Sequence, residues 1–393
     1  MVESFLSQEP RAETPLLLEL AEAVKLREGP SGTARALWLL HTQRVHSTHA
    51  WSKALSIPIP VLAALRRELE KRGILASESK LKLTEPGRQL LAALFGDATL
   101  PHIDCPACQG LGHILPPEAC PLLDEFIPLG AGRPAVDVTL DQSHATPDTS
   151  IRKALILLEA GWLHLPIFIL GDDDLISIAC LLARRRFLSH SPACGPILVA
   201  DVDTRYLDYI RSVSENQVST AVYDARQPLP AEWAGQFAVA LTDPAYTPNA
   251  IAAFAARCHA ALGPSGVLLL SMPLPDSATL GPLQQRLTAM GWAIRAIHPQ
   301  FNRYEGASIH AHVSHLFVCE KWRPSLPEEE LDVQDAPFYT AQIRDPSRFY
   351  RCIGCGKFYR VGPGEEIPTI QELKRSGCRE CRGIQFEQAE PGG

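Results

Sequence analysis

Residues Leu165–Leu182, LPIFILGDDDLISIACLL, decide the reading of this 393-residue chain. A short apolar run rich in Ile, Leu and Phe has the composition of a buried strand; a glycine, consecutive aspartates and an apolar segment of helical spacing follow it. Strand, glycine turn and helix open the nucleotide-binding α/β domains, with the ligand at the carboxyl end of the strand. Most such turns are Gly-rich, so that bare amides can approach an anionic phosphate or carboxylate. Here Asp172, Asp173 and Asp174 follow Gly171. Carboxylates in that place repel an anion and attract a cation. A helix dipole favours acidic residues in its first turn, which accounts for part of the set but not all of it. The turn therefore points to a positively charged ligand.

Around this element, residues 136–323 alternate strand and helix in the manner of a doubly wound sheet. A polar loop and helix, DQSHATPDTSIRKALILL (Asp141–Leu158), precede the first strand, with Asp148 or Thr149 near the helix start. The second strand is Pro196–Asp203, and an acid at its end typically accepts hydrogen bonds from ribose hydroxyls. Asp201 is the first candidate and Asp203 the second, with a helix cap as the structural role for one of them. Asp224 follows a third apolar segment, where adenine-recognising groups often sit. The fourth strand ends in DPAYT, which projects Asp243 and Tyr246 over the sheet edge. Leu262–Ser271 gives a fifth strand, and 296–320 a closing antiparallel hairpin in which His310, His312 and His315 are read as core or surface residues.

The flanks are different in kind. Over 31–94 the pattern is three helices, two short strands at Ile74–Leu75 and Lys80–Leu83, and a last helix from Thr84, which reads as a winged helix-turn-helix. Its third helix mixes Arg66, Arg67, Lys71 and Arg72 with Glu68 and Glu70, so a solvated face is favoured over a DNA-reading one. A Pro-rich connector carries Cys105 and Cys108, with His102, His113 and Cys120 as candidate further ligands, and unliganded thiols as an equal alternative. After an acidic linker come Cys352, Cys355, Cys378 and Cys381, two CxxC knuckles with 22 residues between them. That spacing predicts a four-thiolate zinc ribbon with the metal in a structural role; a rubredoxin-like iron site uses similar spacing. The domain boundaries expected are 1–98, 99–135, 136–323, 324–347 and 348–393.

Composition bounds the function. The chain is 46% hydrophobic with a net charge of −7, which suits a globular protein with cationic small molecules and argues against nonspecific nucleic-acid affinity. No apolar run reaches the roughly 18 residues of a membrane span, and no basic-then-apolar leader is evident. Eleven cysteines, six of them in CxxC pairs, suit metal in a reducing compartment rather than disulfides. A cytoplasmic protein is expected.

The series DQ…AT…T…RK (Asp141 to Lys153), GDDDL (Gly171–Leu175), VADVD (Val199–Asp203), DARQPLP (Asp224–Pro230), DPAYT (Asp243–Thr247) and FNRY (Phe301–Tyr304) resembles the branched-chain polyamine synthase family over about residues 30–322. The resemblance implies a Rossmann-like, methyltransferase-type α/β fold and transfer of aminopropyl groups from decarboxylated S-adenosylmethionine to the secondary amine of spermidine. It implies Asp172 and Asp173 as catalytic, Asp174 as a helix-start or supporting residue, Asp243 and Tyr246 on the acceptor side, and Gly171, Asp201, Asp203 and Asp224 around the donor. A homodimer is expected. The chain departs from the family pattern at Ala245, which replaces a proline, at Lys153, which replaces an arginine, and in the tail beyond about 325. Two other functions fit parts of the sequence: an S-adenosylmethionine-dependent methyltransferase acting on nucleic acid, because DPAYT resembles the DPPY loop of amino-methyltransferases, and a polyamine-sensing DNA-binding regulator.

Overall fold

The computed structural model describes residues 15–96, 112–188, 194–305, 313–323, 338–340, 348–362, 366–367 and 370–389. Five helices come first: α1 (Pro15–Ala23), α2 (Gly29–His41), α3 (Thr48–Leu55), α4 (Ile59–Lys71) and α5 (Glu85–Phe95). Their apolar faces share a core built on Leu17, Leu37, Trp51, Leu65 and Leu91. Capping sets their limits: Ser47 Oγ accepts the Ala50 N–H (3.1 Å) and Thr84 Oγ1 the Gly87 N–H (3.0 Å). The two short strands expected after α4 reduce to one antiparallel bridge, Leu75 to Leu83. The helix α1 was not expected, because its apolar segment lies outside the helical pattern read at 31–94. Gly87 lets α5 close on that bridge, since a Cβ there would stand 2.2 Å from the Ile74 carbonyl oxygen.

After α6 (Cys120–Ala131) and α7 (Pro147–Glu159) comes a mixed α/β unit with a seven-stranded, mainly parallel sheet. Its strands are β1 (Ile167–Leu170), β2 (Ile197–Asp201), β3 (Ser219–Val222), β4 (Phe237–Thr242), β5 (Leu262–Met272), β6 (Trp292–Arg303) and β7 (Val313–Lys321). They lie in the order β3-β2-β1-β4-β5-β7-β6, the first five mutually parallel and β7 antiparallel to both of its neighbours, β5 and β6. The expected closing hairpin is therefore present, but it begins at Trp292 and its second strand inserts next to β5.

Strand alternation divides the core into two layers. Ile167, Ile169 and Val199 pack with α6, α7, α8 (Ile176–Phe187) and α9 (Thr204–Val213). Phe168, Leu170 and Ala200 pack with α10 (Pro248–Ala261) and α11 (Ser277–Ala289). Because β1 is buried on both faces it reads as an unbroken apolar run, the signature of a central parallel strand. The strand order reverses between β1 and β4, and their carboxyl ends form the switch point at which ligands bind in such sheets.

The last described unit is a three-stranded antiparallel sheet, β8 (Arg348–Cys352), β9 (Phe358–Val361) and β10 (Phe386–Ala389), with a helix at Ile370–Ser376. His102, Cys105, Cys108, His310 and His312 lie outside the described residues. His113 Nε2 is 3.0 Å from His298 Nδ1, and the Cys120 sulfur points to the Pro116 carbonyl. His315 is buried on β7, where its Nδ1 accepts the Gln300 N–H at 3.1 Å, as expected of a core histidine. Among the described residues no helix is long and apolar enough to cross a membrane.

Candidate active site

The turn after β1 is built by its own aspartates. Gly171 takes φ +76°, a left-handed conformation that favours glycine, and starts the bend. Asp172 then folds back, its Oδ1 accepting the Ile176 N–H (2.6 Å) and its Oδ2 the Ser177 N–H (3.1 Å). These are buried donors of the first turn of α8 that have no partner within the helix, so Asp172 acts as the helix's capping carboxylate. Burial pushes its carboxyl up to about 7 against these amide bonds. Asp172, expected to face an amine, thus has one helix amide on each of its oxygens.

Asp174, expected at the helix start, instead points to the sheet's switch point. It is 3% exposed, accepts the Ala145 N–H at 2.5 Å and meets Lys153 Nζ at 3.4 Å. Asp173 lies between these two in sequence and accepts the Ser143 N–H at 3.1 Å. Burial first, then the charges of Asp174, Asp243 and Asp201, hold its carboxyl well above the usual carboxylate range.

From the end of β4, Asp243 enters the same cleft. Its Oδ1 accepts the Tyr246 hydroxyl (3.1 Å), its Oδ2 the Tyr304 hydroxyl (2.5 Å), and Lys153 Nζ stands 3.8 Å away. Burial raises its carboxyl to about 6, opposed mainly by the Lys153 charge. The two phenols touch at 2.9 Å, and Tyr304 continues to Ser314 Oγ (2.8 Å), which accepts from Asn302 Nδ2 (2.9 Å). Burial, then the Asp243 charge, holds both phenols well above their ordinary range, so they remain donors. The cleft is lined by Lys153, Gly171, Asp173, Asp174, Asp243 and Ser271, among others.

The expected donor-side acids sit along the ends of β2 and β3. Asp201 accepts the Asp203 N–H (2.8 Å) and the Asp172 N–H (3.2 Å), tying the two strand ends together, and burial raises its carboxyl. Asp203 caps α9 through the Arg205 N–H (3.0 Å) and accepts Gln142 Nε2 (3.0 Å). The Arg205 guanidinium bonded to it lowers its carboxyl. Asp224 is forked by Arg226, with bonds of 2.9 and 2.6 Å to one oxygen; burial opposes that pairing, but the arginine outweighs it and the carboxyl is lowered. Beside them, Asp141 accepts the Thr340 N–H (2.7 Å) and hydroxyl, while Phe338 is buried against Phe254.

Sequence reasoning missed Lys153 and Tyr304 as members of the site. Both lie in stretches that resemble the family, RK and FNRY, yet neither has a local pattern that separates it from an ordinary helix or strand residue. The separate four-cysteine cluster is closed: all its Sγ atoms lie within 4.8 Å of one another.

Comparison with known proteins accords with this geometry. Residues 121–329 match the family model of the branched-chain polyamine synthase A C-terminal domain. An uncharacterised protein of Methanocaldococcus jannaschii is 30% identical over 95% of this chain and 92% of its own length. The N(4)-bis(aminopropyl)spermidine synthase of the same organism is also 30% identical, over 52% of this chain and 57% of its own. The crystal structure of the branched-chain polyamine synthase from Thermus thermophilus, in complex with N4-aminopropylspermidine and 5'-methylthioadenosine, superposes with a TM-score of 0.66. It is 23% identical, with 83% of this chain and all of that one covered. An α/β fold with a mainly parallel sheet and a carboxylate-lined cleft at its switch point defines the general class, a Rossmann-like enzyme. Within it, the chain belongs to the branched-chain polyamine synthase family.

Proposed function

We propose that this protein transfers aminopropyl groups from decarboxylated S-adenosylmethionine to the secondary amine of spermidine, making a branched polyamine. The observation that carries the reading is the convergence of Asp173, Asp174 and Asp243 at the switch point, where an anion-holding turn would offer bare amides. Decarboxylation removes the donor's only carboxylate and leaves an ammonium and a sulfonium. A carboxylate-lined site favours that species and repels the intact donor.

The chemistry asked of the protein is orientation and removal of one proton. A neutral amine must approach in line the methylene next to sulfur, and a nearby carboxylate takes the proton it sheds. We assign proton acceptance to Asp173, and anchoring of the acceptor's amines to Asp174, Asp243 and Tyr246. Asp172 holds the turn in place. Asp201, with Asp203 beside it, serves the ribose and Asp224 the adenine amino group, each exchanging a bond to its own chain for one to the nucleoside. Gly171 gives the donor access to the turn.

The finer architecture belongs to the same reading. The N-terminal helices form a winged helix used for docking: on α4, Arg66 pairs with Glu70 and Lys71 with Glu68, and Arg72 pairs with Glu19 from α1. The four cysteines hold structural zinc, and the Tyr359 hydroxyl donating to Cys378 Sγ at 3.1 Å suits a thiolate ligand. When bound, the metal supplies a crosslink between the knuckles. We divide the chain at the boundaries expected from sequence and take the active form as a cytoplasmic homodimer, which light scattering of the purified protein checks.

Calorimetric titration with both donors, followed by mass spectrometry of a spermidine incubation, tests the function. The expected result is binding of the decarboxylated donor and a product heavier by one or more aminopropyl units. Preference for intact S-adenosylmethionine with no polyamine product would replace this reading with methyl transfer.

A further inference from the structure

Lys153 is a buried cation in a cleft that otherwise collects carboxylates. Its side chain is 4% exposed, its ammonium stands 3.4 Å from Asp174 Oδ2 and 3.8 Å from Asp243 Oδ2, and it lines the same cleft as Asp173. The preceding Arg152 turns away from the cleft, to Asp148 (2.8 Å), the Phe301 carbonyl (2.9 Å) and the Phe301 ring. Among the described residues Asp173 has no cationic partner. A lysine this buried is costly unless its charge is compensated, and an apolar residue would fill the same helix face without that cost.

We infer that Lys153 is the internal counter-ion that engages Asp174 and Asp243 and so leaves Asp173 to accept the proton. The inference deepens the aminopropyl-transfer reading and rests on it. The groups facing Asp173 are Asp174 from its own turn, Asp243 from the end of β4, Asp201 from the end of β2 and the Ser143 N–H from the loop before α7. The groups facing Asp243 are Lys153 from α7, Asp173 and Asp174 from the turn after β1, Tyr246 from its own loop and Tyr304 just after β6. Protonating Asp243 forfeits an ammonium contact and weakens two phenol hydrogen bonds. Protonating either acid relieves repulsion among carboxylates, but protonating Asp173 forfeits one amide bond and no ammonium contact. The balance of the reaction follows. As the acceptor nitrogen bonds to the donor methylene, the carbon–sulfur bond breaks with its electron pair going to sulfur. The proton released from that nitrogen goes to an Asp173 oxygen.

The test is the pH dependence of kcat/KM for the acceptor in wild type, Lys153→Met and Lys153→Arg, with donor binding followed by calorimetry. Removing the cation makes the cluster more negative, so the acidic limb of the profile moves to higher pH by about one unit in Lys153→Met. Lys153→Arg restores it, and donor binding persists in both. A rate that falls equally at every pH, with the limb unmoved, would show that Lys153 only fills space and would overturn the inference. Should Lys153→Met fail to fold, Lys153→Gln removes the charge with less apolar change and is read the same way. Absence of aminopropylated product from the wild type would instead sink the parent reading. In that event the counter-ion role is read from aspartate-labelled carbon NMR, where the Asp173 carboxyl titration, identified by its loss in Asp173→Asn, must move upward in Lys153→Met. An unmoved titration overturns it.

Discussion

Asp172, Asp173 and Asp174 are chemically identical neighbours whose environments give them three different jobs. Among the described residues, Asp172 accepts from two helix amides, Asp174 from an amide and an ammonium, and Asp173 from one amide. Replacing Asp173 by Asn keeps its shape and removes the proposed proton acceptor. We expect kcat to fall by about 10²–10⁴-fold with donor affinity unchanged, as read by steady-state kinetics beside calorimetry. Unchanged turnover would move the base elsewhere in the cleft. Tyr304→Phe removes one of the two phenols on Asp243 and interrupts the link to Ser314. Its expected effect is a raised acceptor KM with donor binding intact, because the phenol orients an anchoring carboxylate and touches no donor-side acid.

At the scale of the element, α8 is started by a side chain rather than by sequence propensity. Leu175 precedes it at φ +54°, a left-handed conformation uncommon for a branched residue, and the Asp172 bonds hold the turn there. Asp172→Ala should lower stability by about 0.5–2 kcal/mol, and Asp172→Asn, which keeps one acceptor oxygen, by less. The urea midpoints of the two variants decide it, and equal midpoints would dismiss the capping role. In the N-terminal helices, the close approach of α5 to the Leu75–Leu83 bridge depends on a missing side chain. A Gly87→Ala change forces the helix off the Ile74 carbonyl and should cost about 1–3 kcal/mol.

For the molecule as a whole, the buried carboxyl cluster sets a pH dependence. Asp172 at about 7, Asp243 at about 6 and the raised Asp173 all lie above their unfolded values. These three carboxyls therefore bind more protons in the folded state than in the unfolded chain between about pH 4 and 7, while burial lowers the imidazoles of His259, His113, His144 and His298, which act in the opposite sense. The carboxyl contribution is fully present below the unfolded values and is lost as pH rises through the folded ones. The stability difference between wild type and Asp173→Asn, read by denaturant titration, should therefore fall as pH rises through this window; a difference that is constant or grows from pH 5 to 7.5 would contradict the burial of Asp173 among carboxylates. The four-cysteine unit is independent of this titration. Metal analysis should find about one zinc per chain, and chelation should raise hydrogen exchange over 348–389 without altering the seven-stranded sheet.

Much of the fold was legible in the sequence because its signals are local. A doubly buried strand reads as an apolar run, the helices of the core as periodic segments, and CxxC pairs as knuckles. Acids at strand ends marked the site because strand ends converge there in any doubly wound sheet. What the sequence could not assign was the partnership of side chains distant along the chain. Lys153 meets Asp174 and Asp243 only because α7 packs beside the start of α8 and the end of β4. Tyr304 reaches Asp243 only because β7 inserts next to β5 and carries β6 outside it. The aspartates of one turn pointed to a cationic ligand; tertiary packing, through burial and unequal pairing of like charges, decided which carboxylate accepts helix amides, which meet an ammonium and which meets neither.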